Sequence, residues 1–482
     1  MENRFKREAN YVGGRWIQAD TGATIAVTNP ANGEIVGNVP RAGRLETARA
    51  IDAASSAFAA YSKTSANHRA GLLRQLHAAL MDNQRELAEL LVMEQGKPLA
   101  EAMGEIAISA AYVLWFAEEG RRVYGSIVPS PWPDRRIHVI REPVGVVAAI
   151  TPWNFPSSML ARKLGPALAA GCTVVVKPAS QTPFSGLAWG ALCEEVGFPA
   201  GAINIVTGSA AEIGDEICAN PKVRKLTFTG STDVGKQLIA KCAGTVKKVS
   251  MELGGNAPFI VFDDADLDRA IEGAMVAKYR NSGQTCVCTN RFYVQAGIYD
   301  AFVERLSAAA SRLKVGPGLE PGTEQGPLID DKAVAKVEEL IADAVALGAT
   351  VQTGGKRHAL GGTFFEPTVI AGANRKMRFA TEEIFGPVSP VFKFETEDEA
   401  VAAANDTDFG LACYFYTRDL GRTYRVMEGL RYGLIGVNEG LITTVEAPFG
   451  GLKESGLGKE GGREGIEDYL DSKYTCIGGL GL

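Results

Sequence analysis

The chain has 482 residues, of which 46% are hydrophobic and 22% are charged, and its formal net charge is −6. A chain of this length and balance is expected to fold into two or three globular domains of α/β type. Because the charge is negative and no long basic run occurs, neither nucleic acid nor an anionic membrane surface is expected as a partner. The expected partners are small molecules or other copies of the chain.

The amino-terminal sequence and the cysteines bear on location and on metals. Residues 1–8 lack the apolar segment of a signal peptide, and nowhere do about eighteen apolar residues run together, so a cytoplasmic location without membrane association is predicted. The eight cysteines are spread thinly and form no C-x-x-C pair. Neither a disulfide framework nor a zinc or other metal site is therefore expected, and the thiols are predicted to be reduced.

The first part of the chain predicts helices followed by an arm. Alanine, leucine and charged residues recur at helical spacing from Thr47 to Gln95, and a second helix is predicted at about 99–124. Residues 135–140 alternate as a strand does and are flanked by prolines. This pattern suits an exposed arm that adds to a sheet elsewhere and takes part in oligomerisation.

From Val144 onward, five short apolar strands alternate with helices. The strands are predicted at 144–150, 172–176, 203–206, 223–228 and 247–253, with helices at 157–170, 182–196, 210–219 and 233–243 between them. Such alternation predicts a parallel, doubly wound sheet that binds its ligand at the carboxyl ends of the strands. Glycines and hydroxyls at those ends let backbone N–H groups approach a phosphate.

A second α/β block is predicted from Pro258 to about Val437. Its strands are predicted at 259–262, 292–295, 388–394, 411–416 and 434–437. The tail then passes through the glycine-rich segment 450–465 to a strand-like segment at 468–477, which is a natural partner for the arm.

Three features of the sequence bear on a cofactor. The only G-x-G-x-x-G match, at 456–461, lacks a preceding strand and is interpreted as a loop. Residues 230–235 follow a predicted strand and open a predicted helix, where N–H groups can meet a pyrophosphate. Lys177 also follows a strand, and it is either a contact to a cofactor ribose or a solvated lysine.

Three further residues carry candidate chemistry. Cys286 lies on a loop of small polar residues that a substrate can reach, although an inert buried thiol fits the pattern as well. Asn154 follows a strand and offers a neutral donor to an oxyanion, or it is a structural turn residue. Glu252 alternates with apolar neighbours, so it is either a general base whose pKa burial raises or a surface carboxylate.

Seven segments resemble, in this order, the motifs of the aldehyde dehydrogenase superfamily from near residue 10 to the end. They are Pro152-Trp-Asn-Phe-Pro156, Lys177-Pro-Ala-Ser180, Phe228-Thr-Gly-Ser231, Met251-Glu-Leu-Gly-Gly255, Gly283-Gln-Thr-Cys286, Glu382-Glu-Ile-Phe-Gly-Pro387 and Pro448-Phe-Gly-Gly451. Within the superfamily the chain is most similar to succinate-semialdehyde dehydrogenases, through residues 119–125, 286–288, 438–440 and the Gly-Ile-Glu-Asp-Tyr-Leu ending.

The resemblance implies an aldehyde dehydrogenase-like α/β fold with three parts. These are a Rossmann-like cofactor domain at 1–128 and 144–256, an α/β catalytic domain at 257–440, and a small oligomerisation arm at 129–143 and 466–482, joined by a connecting segment at 441–465. The arm implies a dimer or tetramer.

The resemblance also implies the chemistry. Cys286 would be the nucleophile, Asn154 and the backbone N–H of Cys286 the oxyanion hole, and Glu252 the base that activates water. Glu383 would bind the nicotinamide ribose and Phe385 pack near the ring. The full set implied for the cofactor is Thr151, Pro152, Trp153, Asn154, Lys177, Ala179, Ser180, Phe228, Gly230, Ser231, Leu253, Glu383 and Phe385.

The cofactor is expected to be NADP in preference to NAD. NAD-selective relatives commonly have glutamate where this chain has Ser180, and a carboxylate there would repel a 2′-phosphate.

The expected substrate is a short aldehyde with a carboxylate at its far end, succinic semialdehyde first. Helical spacing puts both Arg162 and Lys163 on the side of Met159 and leaves the choice open, whereas the resemblance selects Arg162, with Arg280, as the carboxylate-binding pair. Thr443 stands where the family has serine, which leaves room for glutaric or 2-oxoglutaric semialdehyde or for a broader range. Alternatively, both arginines tie loops to internal carboxylates.

Other functions remain open from the sequence. A thiol hydrolase would need a histidine near Cys286, a coenzyme-A-acylating dehydrogenase would not need Glu252, and a binding relative without activity would have lost one of these residues. Cys288 is a candidate redox partner of Cys286 if the backbone bends, since an extended pair would face opposite sides.

Overall fold

The protein is described by a computed structural model for residues 3–481. Its strands are β1 (Asn10–Val12), β2 (Arg15–Ile17), β3 (Thr24–Thr28), β4 (Ile35–Pro40), β5 (Ser126–Val128), β6 (Arg136–Pro143), β7 (Val146–Ile150), β8 (Thr173–Lys177), β9 (Ile203–Ile205), β10 (Val223–Thr229), β11 (Lys248–Glu252), β12 (Ala257–Val261), β13 (Thr289–Gln295), β14 (Thr350–Thr353), β15 (Thr368–Ala373), β16 (Val388–Phe394), β17 (Ala412–Tyr416), β18 (Leu434–Val437), β19 (Gly456–Leu457) and β20 (Leu470–Ile477).

Its α-helices are α1 (Arg44–Tyr61), α2 (Ala66–Asp82), α3 (Gln84–Gln95), α4 (Leu99–Glu119), α5 (Ser158–Ala170), α6 (Pro183–Val196), α7 (Ala210–Ala219), α8 (Thr232–Ala243), α9 (Leu267–Tyr279), α10 (Tyr299–Ala310), α11 (Asp331–Ala346), α12 (Glu397–Asn405) and α13 (Leu420–Gly429). The single helical run predicted from Thr47 to Gln95 is wrong. It is three helices, because Ser65 caps a new helix by accepting from the N–H of His68, and Asn83 both ends α2 and precedes α3.

The first sheet has the strand order β19-β11-β10-β7-β8-β9-β1-β2. The five predicted strands form its parallel centre, which confirms the doubly wound prediction. The antiparallel edges were not predicted: β1 and β2 close one side, and β19 pairs with β11 on the other. β19 begins the 456–461 segment interpreted above as a loop.

Alternate residues of these strands face two cores. On one side α2 to α6 pack around residues such as Val147 and Val174, and on the other side α1, α7 and α8 pack around Val146 and Val175. By length and composition alone, Leu99–Arg122 could cross a membrane. In the fold, however, α4 contributes Ala102, Ile106, Ala110, Val113 and Phe116 to the first core, as a core helix does.

The second sheet has the order β14-β15-β16-β13-β12-β17-β18 and is parallel except for β14. α9 and α10 cover one face and α11, α12 and α13 the other. The strands at 350–353 and 368–373 were not predicted from the sequence. Together the two sheets confirm the predicted α/β fold class.

A third sheet has the order β20-β6-β5. Strand β20 pairs antiparallel with β6 along its whole length, from Leu470 opposite Pro143 to Ile477 opposite Arg136. The sheet also includes β5, which lies within the segment 1–128 that was assigned to the cofactor domain.

Candidate active site

Two cavities share Cys286 and Met159 as wall residues. The first, of ≈ 340 Å³, is lined by Pro152, Trp153, Asn154, Met159, Thr229, Gly230, Ser231, Leu253, Gly254, Cys286, Ile329, Asp330, Lys332, Ala333, Lys336, Glu383, Ile384 and Phe385. The second, of ≈ 270 Å³, is lined by Glu101, Gly104, Glu105, Ile108, Phe155, Ser158, Met159, Arg162, Arg280, Thr285, Cys286, Val287, Leu441, Thr443 and Phe449. The Cys286 thiol can therefore meet ligands from both cavities.

Cys286 lies on the predicted loop between α9 and β13 and is half-buried. Burial raises the pKa of its thiol to about 12, and the nearby charge of Arg162 opposes that rise. The resting thiol is therefore protonated at neutral pH, and the reaction needs a group that removes its proton.

Backbone contacts fix the Cys286 loop on two sides. A side chain at Gly255 would place its Cβ 2.5 Å from the carbonyl oxygen of Cys286, and one at Gly283 would place it 2.2 Å from that of Gly386. Only glycine permits such approaches. Asn281, Ser282 and Gly283 all have left-handed backbone conformations, with φ of 51°, 57° and 74°.

A buried polar network, which no sequence motif indicated, holds Asn154. The backbone carbonyl of Asn154 accepts from Lys97 Nζ at 2.8 Å and from Asn281 Nδ2 at 3.0 Å. Lys97 is paired with Glu105 at 2.5 Å. The side-chain amide of Asn154 donates to the carbonyl of Gln284 at 3.0 Å, so the amide is fixed in the wall of the first cavity.

Glu252 is buried, with 4% of its surface exposed, so the surface interpretation is wrong. Burial and the charge of Glu460 raise the pKa of its carboxyl well above the usual value, while Lys163 and Arg162 oppose that rise. Its Oε2 has no hydrogen-bond partner among the described residues. Glu252 lines neither cavity, and Glu460, which binds Lys163 Nζ, is a neighbour that the sequence did not indicate.

Most of the residues implied for the cofactor line the first cavity: Pro152, Trp153, Asn154, Gly230, Ser231, Leu253, Glu383 and Phe385. The others do not line it but lie on or just after β7, β8 and β10, whose carboxyl ends adjoin it: Thr151, Lys177, Ala179, Ser180 and Phe228. Lys332 and Lys336 of α11 also line this cavity and were missed, because helical periodicity does not show which face meets a ligand.

Glu383 and Phe385, which are both implied for the cofactor, are held in defined positions. Glu383 accepts from the N–H of Gly255 at 3.1 Å, and burial raises the pKa of its carboxyl to about 7. Phe385 has a left-handed backbone with φ of 56° and meets the ring of Trp153 edge-on, with 5.5 Å between the ring centroids.

Lys177 is a buried cation at the end of β8. Its Nζ lies 3.5 Å from Ser180 Oγ, and desolvation lowers its pKa to about 8. Within residues 3–481 no carboxylate lies within ion-pair distance of it. The solvated alternative is therefore wrong for Lys177, and the lysine can pair with an anionic ligand.

The second cavity presents two guanidinium groups. Arg162 lies between the rings of Tyr112 and Phe449, at 4.9 Å and 4.2 Å from their centroids, and its Nε has no partner among the described residues. Its Nη1 lies 3.8 Å from the buried carboxylate of Glu460, so the alternative of an internal carboxylate partner is met at Arg162. Arg280 lies 5.6 Å from the centroid of the Phe155 ring. Thr443 lines the same cavity.

Lys163 faces away from the second cavity. Its Nζ binds Thr229 Oγ1 at 2.7 Å and the carboxylate of Glu460. Of the two residues that helical spacing could not separate, the structure therefore places Arg162 at the cavity. Glu101, whose carboxylate accepts from the N–H of Asn281 at 2.8 Å, also lines it and was missed.

Cys288 lies behind the loop. Its Sγ is buried and donates to the carbonyl of Lys278 at 3.3 Å, and both Cys286 and Cys288 are free thiols. A disulfide between them would require Cys288 to leave this position, and the redox role stays a prediction. None of His68, His77, His138 and His358 lines either cavity, which removes the support for a Cys–His hydrolase.

A reachable thiol with a neighbouring amide donor and a buried carboxyl defines a site for covalent chemistry at a carbonyl carbon. Residues 16–475 match the model of the aldehyde dehydrogenase family. The chain belongs to this family and is an enzyme that oxidises aldehydes with NAD or NADP. The predictions of family, fold and enzyme class are thus confirmed.

Several relatives are similar over nearly their whole length. Glutarate-semialdehyde dehydrogenase of Pseudomonas aeruginosa is 60% identical, covering 99% of this chain and 98% of the relative. Succinate-semialdehyde dehydrogenase [NADP(+)] GabD of Escherichia coli is 57% identical, covering 99% and 98%. The crystal structure of succinate-semialdehyde dehydrogenase from Burkholderia pseudomallei is 57% identical, with a TM-score of 0.98 and 99% of both chains covered.

Proposed function

We propose that the protein oxidises succinic semialdehyde to succinate, and the observation that carries this proposal is the pair Arg162 and Arg280 in the cavity that ends at Cys286. Two guanidinium groups suit a carboxylate, which they bind through charge-assisted hydrogen bonds. Relatives named for succinate semialdehyde, glutarate semialdehyde and 3-sulfolactaldehyde, at 54–60% identity, support an aldehyde with an anionic far end.

Glutaric semialdehyde is the second candidate. Relatives of 60% and 58% identity carry that name, and Thr443 lines the cavity where the family has serine. One extra methylene changes binding by only about 1–3 kcal/mol in a pocket, so the same arginines can serve both substrates with different efficiencies.

In the proposed reaction, Glu252 first takes the proton of the Cys286 thiol and passes it to solvent, and the thiolate then attacks the aldehyde carbon and forms a thiohemiacetal oxyanion. The oxyanion accepts from Asn154 Nδ2 and from the N–H of Cys286, which has no other acceptor among residues 3–481. After oxidation the acyl group is held as a thioester, and Glu252 takes a proton from the attacking water. Because Glu252 Oε2 has no hydrogen-bond partner there, rotation toward the thioester breaks no bond at that atom.

The residues of the first cavity fit a nicotinamide dinucleotide. The N–H of Ser231, which precedes α8, suits a pyrophosphate, and the carboxylate of Glu383 suits ribose hydroxyls. The N–H of Gly230 is donated to the carbonyl of Glu252 at 3.0 Å. When bound, this cofactor accepts hydride from the substrate carbon. Because Glu252 is present to activate water, we expect the thioester to be hydrolysed to the acid rather than its acyl group to be transferred to coenzyme A.

We propose NADP as the preferred cofactor, since the uncompensated charge of Lys177 beside Ser180 suits a 2′-phosphate. Changing Ser180 to Glu is expected to lower the NADP to NAD ratio of kcat/KM by roughly tenfold or more, because like charges repel. Steady-state kinetics with both cofactors measure the ratio, and Ser180→Gln is the uncharged control of similar size. An unchanged ratio in Ser180→Glu would contradict the role of this position.

The KM for NADP is expected to depend on pH through Lys177. Its pKa of about 8 in the free enzyme rises when a phosphate binds, so the charged form binds better, and affinity is lost as pH rises above that value. From pH 7 to 9 the KM for NADP should rise about tenfold, whereas that for NAD should change little. Lys177→Arg, which stays charged, should remove the rise; a parallel rise for both cofactors would rule Lys177 out as its cause.

An aldehyde panel tests the function. Succinic, glutaric and 2-oxoglutaric semialdehydes, 3-sulfolactaldehyde and butanal would be assayed with each cofactor, with and without coenzyme A. We expect the highest kcat/KM for succinic semialdehyde and no coenzyme A dependence. A maximum at glutaric semialdehyde would favour the second candidate, and equal values for butanal would refute the carboxylate specificity.

We also propose that the sheet β20-β6-β5 joins copies of the chain into a dimer or tetramer. Its surroundings expose large apolar side chains, at Tyr124, Ile127, Trp132, Ile140 and Tyr474, as association surfaces do. Light scattering after gel filtration gives the mass; a monomer at micromolar concentration would refute the proposal. The cytoplasmic location and the domain bounds stay predictions.

A further inference from the structure

Cys218 and Cys242 form a close pair of thiols outside the active site. Their sulfur atoms are 3.6 Å apart, and both residues are free. Cys218 lies one residue before the end of α7 and Cys242 one residue before the end of α8. Among residues 3–481 no other pair of cysteine sulfurs is in contact.

The surroundings of this pair favour a thiolate. The hydrogen bond between the two thiols lowers the pKa of the Cys242 thiol, burial opposes this, and the positive charge of Lys247 lowers the pKa further. Lys247 Nζ is held by the carbonyls of Asn220 and Val223, at 2.6 and 2.9 Å. A thiolate beside a fixed cation is the form that reacts with oxidants.

The pair is buried next to an exposed turn. Cys218 is 2% and Cys242 is 1% exposed, but the turn that follows α8 is open to solvent, and Val246 within it is 86% exposed. Thr245 of this turn donates through its hydroxyl to the carbonyls of both cysteines, each at 3.4 Å. Opening this turn would break both of these hydrogen bonds.

We propose that Cys218 and Cys242 are a modification site, at which hydrogen peroxide forms a reversible disulfide between α7 and α8. The Cys242 thiolate attacks the peroxide, which is reduced to water as the sulfur becomes a sulfenic acid. The Cys218 thiol then attacks that sulfur and releases a second water. A dithiol reductant reverses the reaction. The sulfurs must approach from 3.6 Å to about 2.05 Å for the bond to form.

The test uses the full-length Cys286→Ala enzyme, so that the reactive thiol consumes no peroxide. After mild hydrogen peroxide, alkylation and peptide mapping should show a peptide linked through Cys218 and Cys242 that dithiothreitol releases. Cys193 and Cys413, both fully buried, serve as internal controls and should stay reduced. Recovery of both Cys218 and Cys242 as alkylated thiols at every dose short of unfolding would overturn the proposal.

Two variants resolve the order of the steps. Cys218→Ser should accumulate a sulfenic acid at Cys242 that a dimedone probe labels, whereas Cys242→Ser should leave Cys218 unlabelled. Lys247→Met should slow disulfide formation several-fold. An unchanged rate would show that the charge of Lys247 does not assist the reaction. Both serine variants should keep the aldehyde dehydrogenase activity of the reduced enzyme, since neither cysteine lines a cavity.

An independent observation concerns Asn281, a buried residue in the left-handed conformation (φ 51°). Its Oδ1 accepts from Gln95 Nε2 at 2.9 Å, while its Nδ2 donates to the carbonyls of Asn154 and Gln284, at 3.0 and 3.2 Å. A non-glycine residue held in this conformation is strained, and such strain persists where the surroundings over-determine it. One amide thus joins the Cys286 loop to the backbone of Asn154.

We infer that Asn281 is a positioning residue that fixes the distance between the Asn154 amide and Cys286; this rests on the proposed role of Asn154. Asn281→Gly keeps the backbone conformation and removes the amide, whereas Asn281→Asp keeps the acceptor and loses the donor. Both should lower kcat roughly 10- to 100-fold, as misplacement by about 1 Å does, with little change in the KM for aldehyde or in the alkylation rate of Cys286.

The outcomes separate this role from a structural one. Full kcat in both folded variants would refute the positioning role, and a loss confined to thermal stability would do the same. If either variant fails to fold, Gln95→Met weakens the same network from its other end and should also lower kcat. Asn154→Ala is tested in parallel: if it keeps kcat, the proposed oxyanion role fails instead.

Discussion

The Cys286→Ala enzyme is expected to lose aldehyde oxidation by several orders of magnitude, because among the described residues no other cysteine lines either cavity to form the thiohemiacetal. Cys288→Ala should keep most of the activity, since Cys288 is buried behind the loop with its Sγ donating to the carbonyl of Lys278. Initial rates of reduced cofactor formation measure both variants.

The two variants serve as controls for each other. Each removes one sulfur from the same loop, so thermal unfolding of both shows whether a loss of activity reflects a loss of folding. We expect Cys288→Ala to be the less stable, by about 1 kcal/mol, because it empties a buried position. Equal residual activity in the two variants would overturn the assignment of Cys286 as the nucleophile.

Removing either arginine of the second cavity is expected to lower kcat/KM for succinic semialdehyde by roughly 10- to 150-fold, which corresponds to about 1.5–3 kcal/mol of carboxylate recognition. Butanal has a similar length but no charge, so the same variants should slow its oxidation far less. Arg162→Ala and Arg280→Ala would each be measured with both aldehydes.

Arg162 needs an added control, because it packs between Tyr112 and Phe449 and its loss also removes packing. Arg162→Lys keeps a charge and should recover part of the succinic semialdehyde rate if recognition is electrostatic. If Arg162→Ala and Arg280→Ala slow both aldehydes equally, the arginines are structural and the carboxylate specificity must be withdrawn.

The parallel sheets were predictable because their strands are buried on both faces and are separated by helices of regular length. The short edge strands β1, β2 and β19 were not, since two or three residues carry too little pattern. One of them bears directly on the active site, because β19 pairs with Met251 and Glu252. Alternation along β11 showed which way Glu252 points, and only the tail packed over it explains why it is buried.

The covalent centre was predictable because its residues fall within short motifs. The residues that support it were not, because each contact joins distant parts of the chain. Lys97 contacts Asn154 across 57 positions, and Glu101 contacts Asn281 across 180. No local pattern distinguishes such buried lysines and glutamates from exposed ones, since their partners are fixed only when distant segments of the chain come together.

The two cavities have only Cys286 and Met159 in common. The Cys286 loop is held by glycine contacts to neighbouring backbone and by hydrogen bonds at Asn281, to none of which Leu441 or Thr443 contributes. Changes at Leu441 or Thr443 can therefore alter which aldehyde is accepted while leaving the oxidising machinery intact. Evolution can thus change the substrate range of this enzyme by single substitutions in the wall of the second cavity. A laboratory search for new substrates should randomise Leu441 and Thr443 first.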